Sequence, residues 1–148
     1  MTKKVLPFLI AALLIPGAAL AKGPNPHNGS NSTKGKAKVM YILRGTLSGF
    51  TAYSSPTDGS ITISVLHSNR HGKLLVNSSQ TFAVGAKTKI RIMNGLSVDP
   101  TGCYSGVVKV RAARVAFKDP NAQADLTQAL QGTTAFQVMF KSSTTCPS

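Results

Sequence analysis

The stretch from Lys38 to Gly72, KVMYILRGTLSGFTAYSSPTDGSITISVLHSNRHG, constrains the fold most. Val39, Tyr41 and Leu43 alternate with Lys38, Met40, Ile42 and Arg44. A period of two places successive side chains on opposite faces of an extended chain. β-branched and aromatic residues suit such a half-buried, pleated surface. Ile61, Ile63 and Val65 alternate with Thr62 and Ser64 in the same way. Between the two runs, Ser54 to Gly59 has the chemistry of a turn: Pro56 presets φ and Gly59 can take φ > 0. The pattern predicts two antiparallel strands, with a bend or bulge at Gly45 and Gly49.

The later chain reads as further strands added to this pair. Gln80 to Val84 predicts a third, with Phe82 and Val84 on one face. Lys87, Lys89 and Arg91 alternate with Thr88, Ile90 and Ile92, the latter two facing the core. Val107 to Ala113 sets Val108, Val110 and Ala112 against Val107, Lys109 and Arg111. Asp119 followed by Pro120 predicts a helix start, with Ala122, Leu126, Ala129 and Leu130 at helical spacing over about 120–131. Ala135 to Phe140 closes with a strand in which Phe136, Val138 and Phe140 share a face. Short strands, glycine-rich turns and one short helix predict a mainly β domain. The expected form is a small closed or partly open antiparallel barrel, OB-like, with a β-sandwich as the alternative.

The N-terminus reads as a leader. Lys3 and Lys4 precede an apolar run from Val5 to Leu14, and Ala19-Leu20-Ala21 fits a signal peptidase site. The apolar run is shorter than the roughly 20 residues a membrane-spanning helix needs. Residues 1–21 are therefore expected to be a signal peptide, and the mature protein secreted or periplasmic with no transmembrane segment. Residues 22–36 hold Gly, Pro, Asn, Ser and Lys and no residue that could build a core, so they are expected to form a disordered basic arm. Residues 37–148 are the single folded domain.

Cys103 and Cys146 are the two cysteines. A pair in an exported chain predicts one disulfide. The formal net charge is +13, from 17 Lys and Arg against 4 Asp and no Glu. Such a balance attracts polyanions. Lys87, Lys89 and Arg91 share one face of one predicted strand, and Lys109 and Arg111 one face of another. Paired, these strands would make a single anion-binding surface. Anionic envelope polymers and lipid headgroups are the expected partners. Nucleic acid is disfavoured, because the chain has no Trp and its Tyr and Phe fall mostly at core positions or in the leader.

The residue types of catalysis are scattered. No serine stands in a G-x-S-x-G turn. His67 and His71 lie in a polar segment that reads as a solvated loop, without further ligands to complete a metal shell. No catalytic residue, metal or cofactor is assigned from the sequence, and nothing in it fixes the oligomeric state. The expected function is a non-enzymatic binding or accessory module of the cell envelope. The alternative is a hydrolase whose site is assembled from distant residues.

Gly45-Thr46-Leu47, Ile61-Thr62-Ile63-Ser64-Val65, Asn69 with Gly72, Thr88-Lys89-Ile90, Gly102, and Gly106-Val107-Val108-Lys109-Val110 together resemble a family of small exported bacterial domains of unknown function, similar to OB-type barrels. The resemblance spans roughly Val39 to Arg111. It implies a barrel fold and brings no catalytic residues. The family often has an acidic residue after the glycine preceding the last core strand. Here Cys103 follows Gly102, a departure that points to the disulfide.

Overall fold

The structure, a computed structural model, describes residues 37–118 and 120–146. The expected leader, the basic arm and the Asp119 cap lie outside the described residues. Six strands form one sheet: β1 (Lys38–Thr51), β2 (Gly59–Ser68), β3 (Ser79–Val84), β4 (Lys89–Ile92), β5 (Tyr104–Ala113) and β6 (Ala135–Ser143). A 3₁₀ turn (Arg70–Leu75) joins β2 to β3, and helix α1 (Ala122–Leu130) joins β5 to β6. The strand order is β3-β2-β1-β5-β6-β4.

The alternation in β1 and β2 is realised as read. Tyr41, Leu43, Leu47, Ile61, Ile63 and Val65 are all buried in the core. Across the ladder Leu47 pairs with Ile63, and on the other side Tyr41 and Leu43 pair with Val110 and Val108. The expected irregularity at Gly45 is a bulge, where the register to β2 slips between Arg44 and Gly45. Gly45 pairs with Gly106 on β5, so two glycines face each other at the middle of the sheet. A Cβ on Gly45 would collide with the Ser64 carbonyl, and one on Gly106 with Leu47 and the Met139 carbonyl. Close backbone approach of this kind lets a sheet bend sharply.

The sheet is mixed and does not close: of the closed and partly open forms expected it is consistent with the partly open one, and the expectation that every pair is antiparallel is corrected. β4 pairs with β6 in parallel, and every other pair is antiparallel. β3 meets the start of β6 only at a bridge between Ala83 and Thr134, with the Ala83 amide donating to the Thr133 carbonyl at 3.2 Å. The described residues form one sheet rather than the two of a sandwich.

Three apolar assignments are also corrected. Ile90 and Ile92 are 38% and 46% exposed, not core. They lie in register with the buried Val138 and Phe140 of β6, so they point the expected way. But β4 ends the sheet, with a neighbouring strand among the described residues on one side only. Phe136 does not share a face with Val138 and Phe140. The ladder to β5 slips there, Lys109 pairing with Gln137 and Val110 with Ala135, so Phe136 is the extra residue of a bulge and is 41% exposed. Val107, placed on the solvent side by alternation, is buried, flanked in register by Arg44 and Met139.

Helix α1 starts at Ala122, two residues later than the Asp-Pro signal suggested, with Asn121 at the N-cap position. Its buried residues, Ala122, Leu126 and Leu130, recur every four positions and pack on the core. Gly132, at φ 69°, ends it in the left-handed conformation that favours glycine.

The segment His67–Gly72, read as a solvated loop, is instead built into the fold. β1 runs on past the end of β2, and Asn69 takes over that edge. Its backbone amide donates to the Ile42 carbonyl at 3.1 Å. Its Nδ2 donates to the Met40 carbonyl at 2.8 Å, and its Oδ1 accepts from the amides of Ile42 at 3.3 Å and Gly72 at 3.4 Å. Asn69 thus caps the 3₁₀ turn and finishes the β1 edge together. Asn69→Ala strands the Met40 carbonyl and the Ile42 amide on a partly buried edge. It should cost about 2 kcal/mol, the scale of unsatisfied buried polar groups. A urea titration checks this through the midpoint; an unchanged midpoint would show that water replaces the amide freely.

Candidate functional site: the outer face of β4, β6 and β5

Four of the five bases singled out in the sequence sit on β4 and β5, which do not pair with each other; Lys87, expected on the same strand as Lys89 and Arg91, lies instead in the turn before β4. β6 lies between β4 and β5, and the registers align all three. Lys89 pairs with Gln137, and Gln137 with Lys109. Arg91 pairs with Met139, and Met139 with Val107. Paired residues share a face. Lys89 and Lys109 therefore flank Gln137 in one row on the outer side of the sheet, and Arg91 extends the next row. Two residues beyond Lys109, Arg111 emerges on the same side of β5.

Lys87, Lys89, Arg91 and Arg111 are exposed and Lys109 is half-buried. Gln137, between two lysines, is buried. The strand alternation that set these bases opposite the apolar residues was readable. That a glutamine strand would carry the row from one lysine to the other was not, because nothing in β6 forecasts its neighbours.

Phe136, thrown outward by its bulge, belongs to the same surface. The Lys89 ammonium stands 5.5 Å from the centre of its ring, a cation–π distance. Phe136 also lines a groove of about 400 Å³ with Lys87, Arg111, Asp58, Gly85, Ala86, Thr134 and Ala135. Thr88 fixes the rim: its hydroxyl donates to the Ala135 carbonyl at 2.7 Å and accepts from the Gly85 amide at 3.0 Å. Tyr41, Tyr104, Phe82 and Phe140 are buried in the core and Phe50 packs against it, as expected for most of the rings. Phe136, Phe117 and Tyr53 are exposed.

Cys103 and Cys146 are joined in a disulfide, as the pair in the sequence predicted. The bond ties the turn before β5 to the tail after β6, next to the Thr144 amide donating to the Cys103 carbonyl at 2.9 Å. It fits an oxidising compartment. Among the described residues no helix is long and apolar enough to cross a membrane.

The remaining polar chemistry is structural. Thr101 donates to the Asp99 carboxylate through its amide at 2.8 Å and its hydroxyl at 2.6 Å, and these bonds hold the Asp99 carboxyl below its ordinary range. Burial pushes the Tyr41 phenol up; its hydroxyl donates to the Ala113 carbonyl at 2.8 Å. His71 is half-buried with its ring edge-on to Tyr41, centroids 6.2 Å apart. His67 is exposed. No group of three or more His, Cys, Asp or Glu among the described residues could hold a metal ion.

Compared with known proteins, the chain matches no family model, no curated protein and no solved structure, so its function has to be read from its own residues.

Proposed function

We propose that this chain is a non-enzymatic binding or accessory module of the cell envelope that holds anionic polymers or lipid headgroups on the outer face of β4, β6 and β5. One observation carries the reading: the register places Lys89 and Lys109 in one row across three strands, with Arg91 and Arg111 beside them. Cations fixed on a sheet concentrate potential and need little ordering when a polyanion arrives. The exposed Phe136 beside Lys89 offers apolar surface to the carbon skeleton of such a ligand. The leader grammar, residues 1–21, supports export, and the disulfide fits it.

The fold reading that goes with this is an OB-like barrel left open. β3 and β4 are read as one strand broken at Gly85–Thr88, its first half on β2 and its second parallel to β6. The Ala83–Thr134 bridge supports that continuity. Barrels of this kind present a face and loops to extended polymers.

The hydrolase alternative asks for a cleft collecting His, Asp and Ser. Neither histidine nor serine is among the described residues that line the groove beside Phe136.

Lys89→Gln, Arg91→Gln and Lys109→Gln combined should lower affinity for teichoic acid or heparin at least tenfold at low salt. The parent's affinity should itself fall steeply with salt, since the Debye length is about 8 Å at 0.15 M. Stability should hardly change, because exposed charges contribute little to folding. A triple variant that binds like the parent would leave these bases as a solubility device and pass the role to Lys22, Lys34, Lys36 and Lys38.

A further inference from the structure

A second basic region lies apart from that face. Two adjoining grooves, of about 520 and 440 Å³, share Arg70 and Phe117. Their walls add Arg114 and Lys118 to the first and Lys73 to the second, so three cations besides Arg70, four in all, surround one aromatic ring once both are joined. Among the described residues no carboxylate lines them. The floor is carbon: Leu74, Val115, Ala116 and the ring of Phe117, which is 37% exposed.

The cations stand on fixed backbone. Arg70 and Lys73 belong to the 3₁₀ turn that Asn69 anchors to β1. Arg114 is held where its amide donates to the Ala37 carbonyl at 2.9 Å. Ala37 itself lines the groove. Grooves of several hundred cubic ångströms with an apolar floor and a few convergent charged groups are the usual form of a small-molecule site.

The chemistry that matches is an anion attached to an apolar body. Guanidinium groups suit the oxygens of a phosphate, which they grip through paired N–H donors. A free inorganic anion would leave the carbon floor unused, and a neutral apolar ligand would leave the cations unused. The floor is mostly aliphatic with a single ring, which fits a hydrocarbon chain better than a base that stacks between two aromatic faces. We propose that the Phe117 groove binds a lipid phosphate, with the phosphate between Arg70 and Arg114 and the first carbons of the chain along Phe117, Leu74 and Val115. This site is separate from the outer face of β4, β6 and β5, and either can fail without the other.

Calorimetry with dihexanoyl phosphatidic acid, kept monomeric, tests it on the mature protein. Binding is expected, with dihexanoyl phosphatidylcholine and inorganic phosphate each at least tenfold weaker. Arg70→Gln and Arg114→Gln should each weaken phosphatidic acid about tenfold, the scale of a hydrogen bond to a charged group. Phe117→Ser should weaken it several-fold, and because Phe117 is exposed the melting temperature should stay put. The Lys89→Gln, Arg91→Gln, Lys109→Gln variant should bind it as the parent does. Equal binding of phosphatidylcholine, equal binding of adenosine monophosphate, or indifference to both arginine substitutions would overturn the proposal.

Discussion

Gly45→Ala is expected to cost about 3 kcal/mol, at the upper end of the range for forcing atoms into a packed interior. For a domain of this size that lowers the melting temperature by roughly 10 °C. The new methyl group would meet the Ser64 carbonyl oxygen, with the Ser64 carbonyl carbon at 2.9 Å and the Leu66 amide nitrogen at 3.0 Å. All three are backbone atoms of the paired strand, so no side-chain rotation relieves the contact. Relief needs β1 and β2 to separate at the bulge, which would also pull Leu47 from Ile63. Gly49→Asn is the control. Gly49 has φ 58° but open space where a Cβ would stand, and Asn tolerates that backbone conformation. Its cost should stay under about 1 kcal/mol. Thermal denaturation of both variants checks the contrast; equal, small losses would mean that the sheet can flatten at Gly45 without penalty.

Replacing both cysteines, Cys103→Ser with Cys146→Ser, should cost about 4 kcal/mol by the loop-closure relation. The bonded residues are 43 apart in sequence, and the relation grows only slowly with loop length. Against a typical domain stability of about 5–15 kcal/mol this is a large share. The fold should nevertheless persist. Tyr104 pairs with Ser143 and the Ser105 and Ser142 hydroxyls lie 2.8 Å apart, so β5 and β6 reach the disulfide already zipped. The double variant should therefore keep its native amide spectrum and lose stability to denaturant, and the parent should show no titratable thiol when unfolded. A midpoint unchanged by the substitution would contradict the assignment of stability to this bond.

What the sequence revealed follows from how local each signal is. β1 and β2 alternate cleanly because both have one covered face, and the glycine at position 45 marked its own bulge. Ile90 and Ile92 alternate just as cleanly, yet they are exposed. Periodicity says which residues share a face; it does not say whether anything lies over that face. The terminal position of β4 and its parallel pairing to β6 come from contacts between residues about 48 apart. Phe136 departs from the expected face because a bulge breaks the period of two without a glycine to announce it. Asn69 looked like turn chemistry and is that, but its partners on β1 lie 27 and 29 residues away. The basic face was legible as two half-faces, since the lysines and arginines alternate with apolar residues. The strand that joins them and the Phe117 groove depend on tertiary neighbours and left no mark in the local pattern.

The measurement that bears most directly on the proposed binding face is a residue-by-residue amide NMR titration of the mature protein with a soluble teichoic acid fragment. The largest shifts should fall at Lys87–Arg91, Gln137 and Lys109–Arg111, in the rows that the β4–β6–β5 register defines. They should vanish together as salt rises, because screening acts on the whole patch at once. Shifts confined to residues 22–36, with the three strands silent, would contradict the assignment of binding to this face.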